Sequence, residues 1–177
     1  MNIPCRLTLC LLILALTMGV AGRSLAQTAP WDIEKLPSTK APGFSLPDLT
    51  GKVINVTAFG DKVLLINFWA TWCAPCRQEM PALDRLQRQF AGQGLAVIGI
   101  SIDSDGSLLK KFIEDAKIQF PILHDPSLKC PDEYKVSAYP TTFLVDSKGV
   151  IQKYWIGPQE WESKEFKKIL QSYLPKT

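Results

Sequence analysis

The sequence predicts an α/β fold in which a mixed central sheet carries helices on both faces. Two apolar runs, at residues 62–69 and 95–102, have the continuous hydrophobicity of buried central strands. A helical pattern follows each run, and a β-hairpin signal lies further on, at residues 141–155. Alternating strands and helices that end in a hairpin indicate a mixed sheet of this kind.

Each element follows from a local pattern. Residues 44–46 and 52–56 flank a turn at 47–51 and predict an N-terminal β-hairpin. Residues 74–90 predict a long helix, which Pro81 should kink because proline removes an internal hydrogen bond. The remaining predictions are a helix at 107–116 capped by Asp105, a strand at 120–123, a short helical segment at 131–134, hairpin strands at 141–145 and 150–155, and a final helix at 160–173.

The first residues predict export. Arg6 precedes an apolar run at 7–20, and Ser24-Leu25-Ala26 fits the small-x-small cleavage rule, so residues 1–26 are interpreted as a signal peptide. An uncleaved membrane anchor is the alternative, although the run is shorter than the roughly 20 residues that a span needs. Residues 27–40 are interpreted as a tether, and residues 41–177 as the folded domain.

The charge pattern gives no reason to expect a nucleic acid partner. The chain has 20 Lys and Arg against 17 Asp and Glu. Arg6 and Arg23 lie in the leader, which leaves 18 basic side chains against 17 acidic ones in the remainder. No run of a single sign occurs, so the sequence does not predict a basic binding surface.

Trp72-Cys73-Ala74-Pro75-Cys76 is the pattern that predicts chemistry. It follows the strand at 62–69 and opens the long helix, where backbone N–H groups and the helix dipole favour a thiolate. Cysteines in CxxC motifs reach pKa values of roughly 3.5–7.5, against about 8.5 for a free thiol. Because only a thiolate attacks a disulfide, the motif indicates a redox centre.

Two other interpretations of the cysteine pair remain open at this point. A zinc site would need two more ligands, for which the chain beyond its leader offers only His124 and Cys130. A structural disulfide would close a very short loop and would stabilise the fold little. Cys130 is expected to be a small buried residue, or else a second thiol that pairs between molecules, and His124 is expected to be structural.

Two blocks, residues 67–81 and 138–146, resemble the thioredoxin superfamily, and within it the exported thiol–disulfide oxidoreductases related to TlpA and ResA. The resemblance spans roughly residues 41–174 and implies a thioredoxin-like three-layer sandwich. It implies that Cys73 is the exposed nucleophile and that Cys76 resolves the mixed disulfide. Pro140 resembles the family's cis-proline, so Trp72, Tyr139 and Pro140 are expected to bind substrate.

Two further positions distinguish branches of the superfamily. Asn67 stands where thioredoxins proper carry a buried aspartate, so their usual proton acceptor is missing. Glu79 lies three residues after Cys76 on the same helical face and matches the glutamate of ResA-like proteins. Burial there would raise the pKa of Glu79, which could then accept the proton of Cys76. The alternative is that Glu79 is a solvated helix residue.

The resemblance implies an enzyme that reduces disulfides in exported proteins such as apocytochrome c. It implies a membrane electron donor of the CcdA or DsbD type, a monomer, no metal, no cofactor other than the cysteine pair, and a place in the periplasm or on the outer face of the cytoplasmic membrane. One alternative is a redoxin-type thiol peroxidase, which would want threonine where Ala70 stands; Thr71 is one residue off. A copper chaperone of thioredoxin fold is the other, although only Met80 and one histidine remain outside the leader.

Overall fold

A computed structural model describes residues 38–175. The predicted signal peptide, most of the predicted tether and the last two residues lie outside this range. The elements are β1 (Ser45–Pro47), β2 (Val53–Asn55), β3 (Val63–Trp69), α1 (Ala74–Phe90), β4 (Leu95–Ser101), α2 (Gly106–Ala116), β5 (Ile122–His124), α3 (Lys129–Glu133), β6 (Thr141–Val145), β7 (Ile151–Ile156) and α4 (Lys164–Gln171), with short 3-10 turns at Val56–Phe59 and Ala91–Gln93.

The central sheet is mixed, as predicted. Its five strands lie in the order β5-β4-β3-β6-β7. β3 pairs in parallel with β4, and β4 with β5, whereas β6 pairs antiparallel with both β3 and β7. β1 and β2 form a separate two-stranded antiparallel sheet, which is the predicted N-terminal hairpin.

Two hydrophobic clusters lie on opposite faces of the sheet, because side chains alternate along each strand. One cluster joins alternate residues of β3 to the buried sides of α1, α2 and α4, with Leu83, Leu109 and Phe166 among its members. The other joins the remaining residues of β3 to Tyr134, which follows α3, and to the hairpin segment through Phe44. Helices therefore cover both faces, as the sequence predicts.

The topology brings two sequence blocks to one edge of the sheet. β3 and β4 are parallel, so the loops that follow Trp69 and Ser101 leave from the same edge. β6 runs the other way, and its first residue, Thr141, pairs with Phe68 near the end of β3. The turn before β6, which contains Pro140, therefore lies beside the loop that contains Cys73.

The C-terminal helix begins later than predicted. The pattern predicts a helix over 160–173, whereas α4 spans Lys164–Gln171. The Ser163 side chain accepts a hydrogen bond from the Phe166 N–H and caps the helix there. The preceding residues instead form a turn that buries Trp161. α1 continues through Pro81 without a break.

Within residues 38–175, no helix is both long enough and apolar enough to cross a membrane.

Candidate dithiol site

Cys73 and Cys76 form a disulfide at the N-terminus of α1. Cys73 is the N-cap residue, and its Sγ accepts a hydrogen bond from the Cys76 N–H at 3.3 Å. Cys76 is fully buried, whereas Cys73 keeps 7% of its surface exposed. Cys73 is therefore the less buried of the two cysteines, and it lies at the helix N-terminus, where backbone dipoles favour negative charge.

A buried carboxylate holds the loop that leads from β3 to Cys73. Asp103 accepts hydrogen bonds from the Thr71 N–H at 2.9 Å and from the Thr71 hydroxyl at 2.6 Å. It also accepts one from the Ser101 hydroxyl at 2.7 Å. The Cys73 N–H in turn donates to the Ala70 carbonyl. These bonds fix the backbone immediately before the dithiol.

Two aromatic side chains and a proline lie beside the disulfide in the fold. Trp72 is 65% exposed, and its ring packs edge-to-face on half-buried Tyr139, with the centroids 6.1 Å apart. The Tyr139–Pro140 peptide bond is cis. The Pro140 carbonyl accepts a hydrogen bond from the Gly157 N–H at 2.8 Å. The structure thus brings together Trp72, Tyr139 and Pro140, the three residues predicted to bind substrate.

Glu79 is buried on α1, one helical turn after Cys76, and its carboxylate accepts three N–H groups. Oε1 accepts from Asn67 Nδ2 at 2.8 Å. Oε2 accepts from Trp161 Nε1 at 2.9 Å and from the Gln159 backbone N–H at 3.4 Å. The side chain is 5% exposed, so Glu79 is not the solvated helix residue that the sequence left open.

Burial raises the pKa of Glu79 to about 7, while the hydrogen bonds from Trp161, Asn67 and Gln159 oppose that rise. Removal from water disfavours the ionised form more strongly than the three donors favour it. A carboxyl group with a pKa near neutrality exchanges a proton readily at physiological pH. A group with this pKa, one helical turn from the buried Cys76, can take part in proton transfer.

A pocket of about 390 Å³ opens beside Glu79. It lies between the first turns of α1 and the segment that precedes α4. Its walls include Pro75, Gln78, Pro158, Gln159 and Trp161.

Cys130 and His124 do not join this site. Cys130 lies in the hydrophobic cluster on the other face of the sheet, and burial, helped by Asp125 and Glu133, raises the pKa of its thiol to about 12. The His124 ring nitrogen Nε2 donates to the Asp103 carbonyl at 2.6 Å. Cys130 lies on the face of the sheet away from Cys73 and Cys76, and in the described part of the chain no group of three or more potential metal ligands occurs.

The sequence reasoning missed three residues of the site. Trp161 and Gln159 contact Glu79 across about 80 positions in the chain, and no local pattern links them to it. Trp161 falls in a segment predicted to be helical, whereas it lies in the turn before α4, so its contact with Glu79 was not predicted. Asp103 follows the apolar run of β4 at the edge where the dithiol lies, and that position was a usable signal.

Comparisons with known proteins agree with this geometry. Residues 37–154 match the AhpC/TSA family. A thiol-disulfide oxidoreductase ResA of Bacillus cereus is 34% identical over 172 residues, which cover 97% of this chain and 96% of the relative. The chain belongs to the thioredoxin-like thiol–disulfide oxidoreductases related to ResA.

Other relatives of the ResA-like family point the same way. The thioredoxin-like protein YneN of Bacillus subtilis (strain 168) is 38% identical over 150 residues, which cover 82% of this chain and 87% of the relative. A solved thiol:disulfide interchange protein of Chlorobium tepidum TLS superposes with a TM-score of 0.67 at 27% identity, over 77% of this chain and 96% of that one. This ResA-like protein is accordingly a protein thiol–disulfide oxidoreductase.

Proposed function

We propose that this oxidoreductase reduces disulfides in exported proteins and that Cys73 is its attacking nucleophile. The observation that carries the proposal is the unequal burial of two cysteines at one helix N-terminus, where Cys73 keeps 7% of its surface exposed and Cys76 keeps none. The Cys73 thiolate attacks a partner disulfide, forms a mixed disulfide and displaces one partner thiolate. Cys76 then attacks Cys73 Sγ, which releases the second partner thiolate and leaves the Cys73–Cys76 disulfide.

Glu79 is proposed to take the proton that Cys76 loses in the second step. Cys76 is fully buried, so water has little access to its thiol. Glu79 lies one turn further along the same face of α1, with a pKa of about 7. Asn67 cannot substitute for it, because an amide does not accept a proton in this pH range.

Substrate binding is proposed at the surface formed by Trp72, Tyr139 and Pro140, which borders the accessible sulfur. The resemblance to ResA supports apocytochrome c as the substrate and a membrane donor of the CcdA or DsbD type as the source of electrons. The predicted signal peptide at 1–26 supports a place in the periplasm or on the outer face of the cytoplasmic membrane. The protein is proposed to act as a monomer, with the cysteine pair as its only redox group.

Two observations favour disulfide exchange over the alternatives. For a redoxin-type peroxidase, Ala70 replaces the expected threonine, and the hydroxyl of the neighbouring Thr71 is bonded to Asp103 rather than free for peroxide. A copper chaperone would need accessible ligands. Met80, on α1, is fully buried in the hydrophobic core, and Nε2 of His124 is hydrogen-bonded to the Asp103 carbonyl. Neither arrangement offers the ligand or donor that the alternative needs.

The test is to trap the mixed disulfide. Cys76→Ser should accumulate a mixed disulfide with a model disulfide-bonded peptide through Cys73, and Cys73→Ser, the matched control, should not. In the reduced wild type, limited iodoacetamide treatment should label Cys73 before Cys76, as measured by mass spectrometry. Preferential label on Cys76, or equal trapping by both variants, would overturn the assignment. Hydrogen peroxide consumption that is faster than peptide reduction would favour the peroxidase instead.

A further inference from the structure

We propose that Leu108 and Leu128 form a further part of the substrate-binding surface, which takes a polypeptide with an apolar side chain about three residues from its disulfide cysteine. The inference deepens the proposed function and rests on it, because it assumes that Cys73 attacks the partner disulfide. It follows from where the fold places the large apolar side chains that stay exposed to solvent.

Most of the exposed large apolar side chains lie at one edge of the central sheet. Within residues 38–175 there are five such side chains, namely Val53, Trp72, Leu108, Leu128 and Ile156. Trp72 follows β3, Leu108 lies in the first turn of α2 after β4, and Leu128 follows β5. Ile156 ends β7, which runs in the same direction as these three parallel strands because β6 is antiparallel to both β3 and β7. Four of the five therefore lie at the edge that carries the dithiol, whereas Val53 belongs to the separate hairpin sheet.

Hydrogen bonds hold the loops that follow β4 and β5 against the loop that leads to the dithiol. The side chain of Asp103, in the loop after β4, accepts from the Thr71 N–H at 2.9 Å. The backbone carbonyl of Asp103 accepts from His124 Nε2, at the end of β5, at 2.6 Å. Leu108 and Leu128 come shortly after Asp103 and His124 in the chain. The fold therefore fixes where both leucines lie relative to the dithiol.

Leu128 has a backbone conformation that its residue type does not favour. Its φ of 61° and ψ of 16° lie in the left-handed region, where glycine and asparagine are common and a branched apolar residue is rare. Leu128 precedes α3 without giving it a side-chain cap, and its side chain is 46% exposed. Neither burial nor capping accounts for a leucine at this position. Strained residues concentrate at binding sites, which agrees with contact between Leu128 and a partner.

The established activity determines what occupies this edge. A protein that exchanges disulfides must receive a polypeptide here, because the partner sulfur has to reach Cys73. Neighbouring strands are about 4.8 Å apart, so the loop after β5 lies about 10 Å from the loop after β3. An extended chain crosses that distance in about three residues. An apolar side chain at this distance from the partner cysteine would be buried against Leu108 and Leu128, which favours binding.

Two peptide disulfides test the selection. Each consists of two identical peptides joined through one cysteine, with either leucine or serine about three residues from the cysteine on both sides. The second-order rate constant for reduction by the reduced wild type should be about fivefold or more higher for the leucine peptide. The double variant Leu108→Ser, Leu128→Asn should bring this ratio close to one. Val53→Ser, the matched control at an exposed apolar position on the hairpin, should keep the wild-type ratio. A wild-type ratio of one, or equal ratios in the double variant and the wild type, would overturn the proposal.

Leu128→Asn alone separates binding from folding. Asparagine adopts the left-handed conformation more readily than leucine, so the urea midpoint of this variant should equal or exceed that of the wild type. Its preference for the leucine peptide should nevertheless fall. A lower urea midpoint together with an unchanged preference would show that Leu128 serves the fold and would overturn its assignment to the binding surface.

The same peptides distinguish failure of the selection from failure of the proposed function. If Cys76→Ser forms mixed disulfides with both peptides while the wild type reduces them at equal rates, the selection is wrong and the proposed function stands. If Cys76→Ser forms a mixed disulfide with neither peptide, the role of Cys73 is wrong and the selection fails with it.

Discussion

The indole N–H of Trp161 donates to Glu79 Oε2 at 2.9 Å and so joins the turn before α4 to the helix that carries the dithiol. The contact bridges 82 positions in the chain. Trp161 itself is fully buried and packs edge-to-face on Trp155 and Phe166. The C-terminal segment thereby both removes Glu79 from water and stabilises its charge, and the balance of the two effects sets the pH at which Glu79 can take a proton.

Trp161→Phe should shift the pH profile of disulfide exchange upward. The substitution keeps most of the aromatic packing but removes a donor to the ionised carboxylate, so the pKa of Glu79 should rise above about 7. Less Glu79 is then ionised at neutral pH, and the rate of peptide disulfide reduction at pH 7 should fall. Trp155→Phe is the matched control, because Trp155 touches Trp161 at 5.9 Å without being a hydrogen-bond donor to Glu79. Identical pH profiles for the two variants would contradict the prediction.

The oxidised protein should lose stability as the pH rises through the Glu79 titration. Burial raises the pKa of Glu79 from 4.5 to about 7, so the folded protein retains a proton that the unfolded chain releases. The stabilisation from the neutral carboxyl is complete below about pH 4.5 and is lost as the pH approaches and passes 7. The free energy of unfolding should fall over that window by on the order of 3 kcal/mol through this group.

Urea denaturation of the oxidised protein at several pH values measures this effect. Glu79→Gln, which stays neutral, should flatten the profile between pH 4.5 and 7. Glu160→Gln, at an exposed position in the same pocket, should keep the wild-type slope. A Glu79→Gln profile parallel to that of the wild type would show that Glu79 has the same pKa in the folded protein as in the unfolded chain, so that burial does not raise it.

The sequence predicted those parts of the molecule that depend on neighbours in the chain. The spacing of Cys76 and Glu79 placed both on one face of α1, and the apolar runs located β3 and β4, because these patterns repeat within a few residues. The environment of Glu79 could not be predicted in the same way. Its partners Asn67 and Trp161 come from a strand and from a distant turn, and only the packed fold determines that they meet.

Asp103→Asn should alter the reactivity of Cys73 as well as stability. Asp103 accepts from the Thr71 N–H and from two hydroxyls, so an amide group would place N–H against N–H and should cost roughly 1–3 kcal/mol. It would also remove a negative charge beside the loop that ends at Cys73. The fraction of Cys73 thiolate, and with it the rate of iodoacetamide labelling at pH 6–7, should therefore rise.

Asp125→Asn is the control for this prediction. Asp125 is also buried, and it accepts from the Ser127 hydroxyl and from the Cys130 N–H, on a loop that does not carry the dithiol. It should lower stability by a similar amount and leave the labelling of Cys73 unchanged. Equal rates of Cys73 labelling in the two variants would show that Asp103 affects stability only and not the reactivity of Cys73.

Gly99→Ala should destabilise the sheet directly behind the active-site loop. Gly99 lies on β4 opposite Asn67 of β3. An added Cβ would lie 2.7 Å from Ile122 Cδ1 and 3.0 Å from Trp69 Nε1, the latter in a fully buried indole. Crowding of this kind in a packed core costs about 1–3 kcal/mol.

The urea midpoint of Gly99→Ala should therefore be lower than that of the wild type. Gly92→Ala is the control, because its Cβ would meet nothing within 4 Å, and its urea midpoint should stay close to that of the wild type. Matching midpoints for the two variants would mean that Ile122 and Trp69 can move aside, and that the close packing behind the dithiol is not required for stability.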